Sequence, residues 1–283
     1  MVPTTMPSDI HDRVTLSNGV AMPIIGYGTW PIPDREAENL VAAALDVGYR
    51  LIDTAEMYGN EEGVGRGIRA SGIDRDEVFV TTKLSQRWHG YQEAQQAFAD
   101  CSKRLGLHHL DLFLIHWPNP ALGKYVDAWR GMIELLERGD VRAIGVSNFK
   151  PSHLQRLIDE TGVVPHVNQI QLNPWVSRAA EREYHASHGI VTESWAPIGK
   201  GGGLLSDRVI AGLARARSRT PAQVVLRWHL QLGLIPIPKT ARRERLAPNL
   251  DVFDFSLGDE EMVVISELDN GERGAVDSDA TGL

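Results

Sequence analysis

A single cysteine, Cys101, stands among the 283 residues. No internal disulfide can form, which suits a reducing compartment. No stretch approaches the ~20 apolar residues that a membrane-spanning helix needs. Basic residues are the minority: 29 Lys and Arg against 37 Asp and Glu leave a formal charge of −8. That balance argues against general binding to nucleic acid or an anionic membrane, and it makes any local basic cluster a pointer to something specific. Residues 1–12 form a loose polar leader without an apolar signal core, so a soluble cytoplasmic protein, acting as a monomer, is the expectation. No G-x-G-x-x-G follows a candidate strand. Gly63-Val64-Gly65-Arg66-Gly67 has the wrong spacing and opens a helix after a loop, which weakens a Rossmann reading.

What is present is alternation. Ser17-Asn18-Gly19, with its Asn-Gly pair, predicts a tight hairpin between 14–16 and 20–22. Strand candidates follow at 24–28, 50–53, 78–83, 111–116, 141–147, 167–171, 190–195 and 234–238. Helical periodicity lies between them: Ala37, Leu40, Val41, Ala44 and Leu45 recur at three and four before Gly48, and Ala94, Ala97, Phe98, Cys101 and Leu105 do so before Gly106. Trp129, Met132, Ile133 and Leu136 repeat the pattern, as do Ala222, Val225, Leu226 and Leu230, and 242–249 predicts a short last helix. Eight such units predict one α/β domain over 1–283, a (β/α)8 TIM barrel with an N-terminal β-hairpin. An open doubly wound sheet is the competing arrangement. Helices at 207–216 and 259–268 are two additions to a plain barrel, and 270–283 is expected to be a flexible C-terminal tail.

In a barrel the working rim carries the C-terminal ends of the strands. Asp53, Lys83 and His116 stand at three of those ends, with Tyr58 in the loop after the first. Ser147-Asn148, Asn168-Gln169, Ser194-Trp195 and Lys239 mark later ones. Each has an ordinary explanation alone: a cap acid, a rim aromatic, a solvated lysine, a core histidine. Burying four titratable groups together is harder to dismiss, because it requires mutual pairing.

The motifs carrying these residues resemble those of the aldo-keto reductases. They are Asp53-Thr54-Ala55-Glu56-Met57-Tyr58-Gly59, Leu114-Ile115-His116-Trp117-Pro118, Gly145-Val146-Ser147-Asn148-Phe149, and Ile237-Pro238-Lys239-Thr240 followed by Arg245 and Asn249. The resemblance runs in order from about Val14 to Leu268. Ser194-Trp195, Arg227-Trp228-His229 and Arg242-Arg243-Glu244-Arg245 look closest to the bacterial diketogluconic acid reductases.

The resemblance implies NADPH-dependent reduction of aldehydes or ketones, with a small carbonyl compound as partner and no metal. Its catalytic tetrad would be Asp53, Tyr58, Lys83 and His116, with Tyr58 as proton donor. A phenol of pKa about 10 is a weak acid at neutral pH. A Lys83 ammonium about 4 Å away would favour phenolate by roughly 4 kcal/mol, or about three pKa units, as an upper bound. His116 would donate a hydrogen bond to the carbonyl oxygen.

The same resemblance assigns cofactor contacts to Gly28, Thr29, Trp30, Ser147, Asn148, Gln169, Trp195, Pro197, Gly199, Lys239, Thr240, Arg242, Arg245 and Asn249. Asn148 and Gln169 suit a nicotinamide carboxamide and Trp195 a stacking face. The glycine-rich 197–205 loop lets backbone approach a pyrophosphate. Lys239, Arg242 and Arg245 suit a 2′-phosphate. Pro248 stands where relatives often carry glutamate, which puts one adenine contact in doubt. Trp30, Trp88 and Trp117 would line the substrate pocket, and Ser85 replaces a frequent tryptophan there. A metal-dependent barrel hydrolase built on Asp53, His116, His108 or His109 and Asp111, and a non-catalytic NADPH-binding protein, are the competing functions.

Overall fold

The computed structural model describes residues 7–280. Its N-terminal hairpin pairs β1 (Arg13–Thr15) with β2 (Ala21–Pro23) antiparallel. Gly19, at φ 88°, supplies the left-handed turn that Asn-Gly promises. The eight predicted strands follow: β3 (Tyr27–Gly28), β4 (Leu51–Asp53), β5 (Phe79–Leu84), β6 (Leu110–Ile115), β7 (Val141–Ser147), β8 (Val167–Gln171), β9 (Val191–Trp195) and β10 (Ile235–Ile237). Neighbours in sequence pair in parallel. The ends meet where Gly26 N donates to Pro236 O at 3.1 Å and Gly28 N to Pro238 O at 3.0 Å. This closure is what separates a barrel from an open sheet.

The helices are α1 (Asp34–Asp46), α2 (Glu61–Ala70), α3 (Tyr91–Leu105), α4 (Tyr125–Glu137), α5 (Pro151–Thr161), α6 (Ala179–Ser187), α7 (Arg208–Ala216), α8 (Pro221–Gln231), α9 (Leu246–Leu250) and α10 (Asp259–Ser266). The two additions are α7 and α10. Asp207 sits just outside α7 and caps it, accepting from Val209 N at 2.8 Å.

Every residue of β5 and β6 is buried, as a parallel strand must be when helices cover one face and barrel interior the other. The period of two sorts the side chains. Leu51, Phe79, Leu112, Leu114, Ala143, Val167, Ile235 and Ile237 fill the interior, and the hairpin's Leu16 and Met22 plug its base. Ile52, Val80, Phe113, Ile115, Ile144 and Val146 pack outward with the helices.

The glycines of α2 have a packing reason. A Cβ on Gly65 would lie 1.9 Å from Leu105 O, and one on Gly63 2.2 Å from Asp34 O. They let α2 approach the backbone of its neighbours.

Residues 270–280, expected to be flexible, lie docked on the barrel. Gln171 Nε2 donates to Gly274 O at 3.0 Å, Val276 N donates to Gln171 Oε1 at 2.8 Å, and Lys150 pairs with Asp277 and Asp279. Polar composition alone does not reveal such specific partners. The leader is also tied where described: Pro7 O accepts from Arg227 Nη1 at 2.9 Å. Residues 1–6 and 281–283 lie outside the described residues.

Candidate active site

Asp53 ends β4 and Lys83 lies on the inner face of β5, both buried. Lys83 Nζ donates to Asp53 Oδ1 and Oδ2, each at 2.7 Å, and to Thr54 O at 2.9 Å. An ammonium has three protons, and Lys83 still faces Tyr58 OH at 3.4 Å. A single 3-10 turn, Glu56–Tyr58, sets the phenol there, and Gly59 in the left-handed region (φ 64°) closes it. Buried Asn60 staples the turn to the preceding loop, donating to Thr29 O at 3.1 Å and Ile32 O at 2.9 Å. His116 follows β6, its ring edge-on to Tyr58 with centroids 5.6 Å apart. The four predicted side chains therefore meet.

Their protonation follows from burial. Burial alone would push Lys83 down, but Asp53 and Tyr58 outweigh it and hold the ammonium above its ordinary range. Tyr58 is raised from 10.0, chiefly by burial, with Lys83 offsetting part of the rise and Asp53 adding to it. The expected shift toward phenolate is reversed, because desolvating the anion costs more than the Lys83 charge returns. The proton stays on the phenol, where an acid needs it. His116 is held well below 6.5 by burial and then by Lys83, so it is neutral. Its Nδ1 is buried without a hydrogen-bond partner among the described residues.

Asn148, at φ 64°, ties the rim together. Its Nδ2 donates to His116 O and Ser147 Oγ, each at 3.0 Å, and its Oδ1 accepts from Trp195 Nε1 at 2.8 Å. Ser147 Oγ donates to Gln169 O at 2.8 Å. Gln169 reaches inward: Nε2 donates to Asp53 Oδ2 at 2.8 Å and to Glu193 Oε2 at 3.1 Å. Asn168 points the other way, to Phe149 O and His185 of α6, and is a packing residue.

Thr29 Oγ1 donates to Asp53 O at 3.0 Å, and Gly28 packs against Ile237. Pro197 O contacts His229 Nε2 at 3.2 Å, and Gly199 adopts φ 77°. Thr240 is buried, with Tyr27 OH donating to its carbonyl at 2.7 Å. Lys239 is half-buried and Arg242 and Arg245 are exposed. None of these three side chains has an ion-pair partner among the described residues. The Asn249 side chain is buried and likewise unengaged. Unpaired cations, a free amide and the orphaned His116 nitrogen fit an anionic ligand that spans the rim.

Trp30, 48% exposed, and half-buried Trp88 and Trp117 flank the mouth. Trp88 is pinned, its indole donating to Glu56 Oε1 at 2.8 Å. Ser85 donates its hydroxyl to Glu56 Oε2 at 2.8 Å and so anchors the loop. Lys200 Nζ lies 4.8 Å from the Trp30 ring centre and 4.4 Å from that of Trp195. Sequence reasoning missed Glu56, Lys200 and Glu193. Glu193 had a readable signal, since period two puts it on the same inner face as Trp195.

The sequence pattern of the Aldo/keto reductase family matches residues 24–270. The chain belongs to that family. An aldo-keto reductase of Mycolicibacterium smegmatis is 48% identical, with 92% of this chain and 94% of that protein covered. The methylglyoxal reductase DkgA of Escherichia coli is 46% identical over 95% of this chain and 98% of its own. Among solved structures, apo Gox0644 superposes with a TM-score of 0.93 at 46% identity, covering 97% of this chain and 100% of that one. A Gox0644 mutant has been solved with NADPH, at a TM-score of 0.92 and 46% identity over 97% and 100%. As an aldo-keto reductase the chain is an oxidoreductase built on a TIM barrel. Among the described residues, no three His, Cys, Asp or Glu side chains gather as a metal ion would need, and no helix is long and apolar enough to cross a membrane.

Proposed function

We propose that this chain reduces small aldehydes and ketones to alcohols with NADPH, and that Tyr58 gives the proton. The observation that carries the reading is the Lys83 ammonium, bound by Asp53 and facing the Tyr58 hydroxyl at 3.4 Å. When bound, NADPH supplies the hydride. Lys83 stabilises the charge left on Tyr58 as its proton departs, and Asp53 keeps Lys83 charged. Neutral His116 donates a hydrogen bond that orients the carbonyl oxygen.

Gln169 Oε1 accepts no hydrogen bond among the described residues, so it is available to a carboxamide N–H. Trp195 offers a stacking face, which Lys200 must leave. Lys239, Arg242 and Arg245 would hold the 2′-phosphate and Asn249 the adenine. Trp30, Trp88 and Trp117 would form the substrate walls.

The relative named methylglyoxal reductase favours dicarbonyls as the first compounds to try. Loss of NADPH absorbance, with NADH in parallel, across dicarbonyls, aldehydes and keto-sugars tests the proposal. Turnover with at least one compound, preferring NADPH, is expected. No turnover with any of them would overturn it.

A further inference from the structure

Glu193 is fully buried inside the barrel, in register with Gln169 on β8 and Ile235 on β10. Two carboxyl groups, Asp53 and Glu193, accept from the same Gln169 nitrogen at 2.8 and 3.1 Å. The ammonium among them, Lys83, is committed to both oxygens of Asp53. Glu193 Oε1 is buried with no hydrogen-bond partner among the described residues. An ionised carboxylate there would have a single donor, Gln169 Nε2, and only a share of the Lys83 charge, which is costly, whereas a carboxylic acid carries no charge to offset.

We propose, building on the reductase reading, that Glu193 is a positioning residue for Tyr58: a neutral carboxylic acid whose carbonyl oxygen holds the Gln169 amide against Asp53. With both acceptors on one side, the Gln169 NH2 is fixed inward and its oxygen is turned toward the cleft. Asp53 is fixed in turn on Lys83, and Lys83 on the phenol. The groups facing Glu193 are Asp53 from β4, Lys83 from β5, Gln169 from β8, aliphatic Ile235 from β10, and Tyr58 beyond Lys83.

Burial first, and Asp53 second, raise Glu193 to about 8. Its proton is therefore present at neutral pH and lost in mild alkali. Loss adds a second negative charge beside Asp53, so Tyr58 holds its proton more tightly and becomes a weaker acid. Carbonyl reduction should slow as pH rises through that value.

Glu193→Gln keeps a neutral carbonyl acceptor and removes the titration, while Glu193→Leu removes the acceptor. The test reads the wild type and both variants by infrared spectroscopy, by the pH titration of the Tyr58 ring-carbon resonance, and by kcat against pH. Expected in the wild type are a neutral carboxylic-acid stretch at neutral pH that disappears near pH 8, an inflection of the Tyr58 resonance at the same pH, and a parallel fall in kcat. All three should vanish in Glu193→Gln, which keeps near-normal turnover at neutral pH. Glu193→Leu should lower kcat by up to about 100-fold with little change in KM. Absence of the acid band at neutral pH, or an unchanged Tyr58 inflection in Glu193→Gln, would overturn the proposal. Neither signal depends on turnover, so failure of the reductase reading would be seen separately, as a protein with the band but no activity.

Discussion

Lys83 carries the electrostatics of the site, because it is a fully buried ammonium balanced by one carboxylate. Lys83→Met should leave the buried Asp53 carboxyl without its countercharge, costing about 3–5 kcal/mol of folding free energy. A urea titration beside the wild type checks this, and an unchanged midpoint would mean that Asp53 finds another partner. The Arg245 side chain has no partner among the described residues, so Arg245→Ala should leave stability alone. It should weaken NADPH binding by roughly 10–100-fold, as expected for a lost charge-assisted bond of about 1.5–3 kcal/mol. Equal weakening for NADH would place Arg245 away from the 2′-phosphate. At this scale the sequence was most legible where residue types were unusual at a strand end, as with Asp53, Lys83 and His116. It was least legible where the deciding term was environmental. The sign of the Tyr58 shift depends on burial outweighing a neighbouring cation, and burial is not written in any one residue.

Elements were legible from period and punctuation. β7 and β8 have the predicted bounds and the other six barrel strands shift by a few residues or fewer, because ladder hydrogen bonds, rather than hydropathy, end a strand. Rim placement followed from alternation, yet Asn168 and Gln169 could not both face the interior, and only the sheet register chooses between them. The helix α2 shows the opposite case, a glycine run whose purpose is contact between backbones. Gly65→Ala should force α2 away from Leu105 O and cost roughly 1–3 kcal/mol, as overpacking does. The guanidinium unfolding midpoint should fall while NADPH affinity is kept. A variant as stable as the wild type would mean that the helix shifts freely.

Over the whole molecule, buried neutral histidines set the acid limit. Burial holds His89 and His185 at about 4 and His229 at about 3, against 6.5 in the unfolded chain. Their folded values are depressed, so the unfolded chain takes up protons first as pH falls. The stability they confer is complete above about 6.5 and is lost progressively toward pH 4. Each contributes roughly 3 kcal/mol over that window, a large share of an ordinary domain's stability. Thermal melts should fall steeply below pH 6, and a flat Tm down to pH 4 would contradict neutral burial. The central claim concerns one proton on the barrel rim, and Tyr58→Phe tests it most directly. The variant keeps the ring and loses only the hydroxyl. Single-turnover loss of NADPH absorbance with methylglyoxal, beside NADPH binding followed by tryptophan fluorescence, separates chemistry from affinity. Binding should be retained and the reduction rate should fall by about 100-fold or more. A variant that reduces methylglyoxal at the wild-type rate would contradict Tyr58 as the acid.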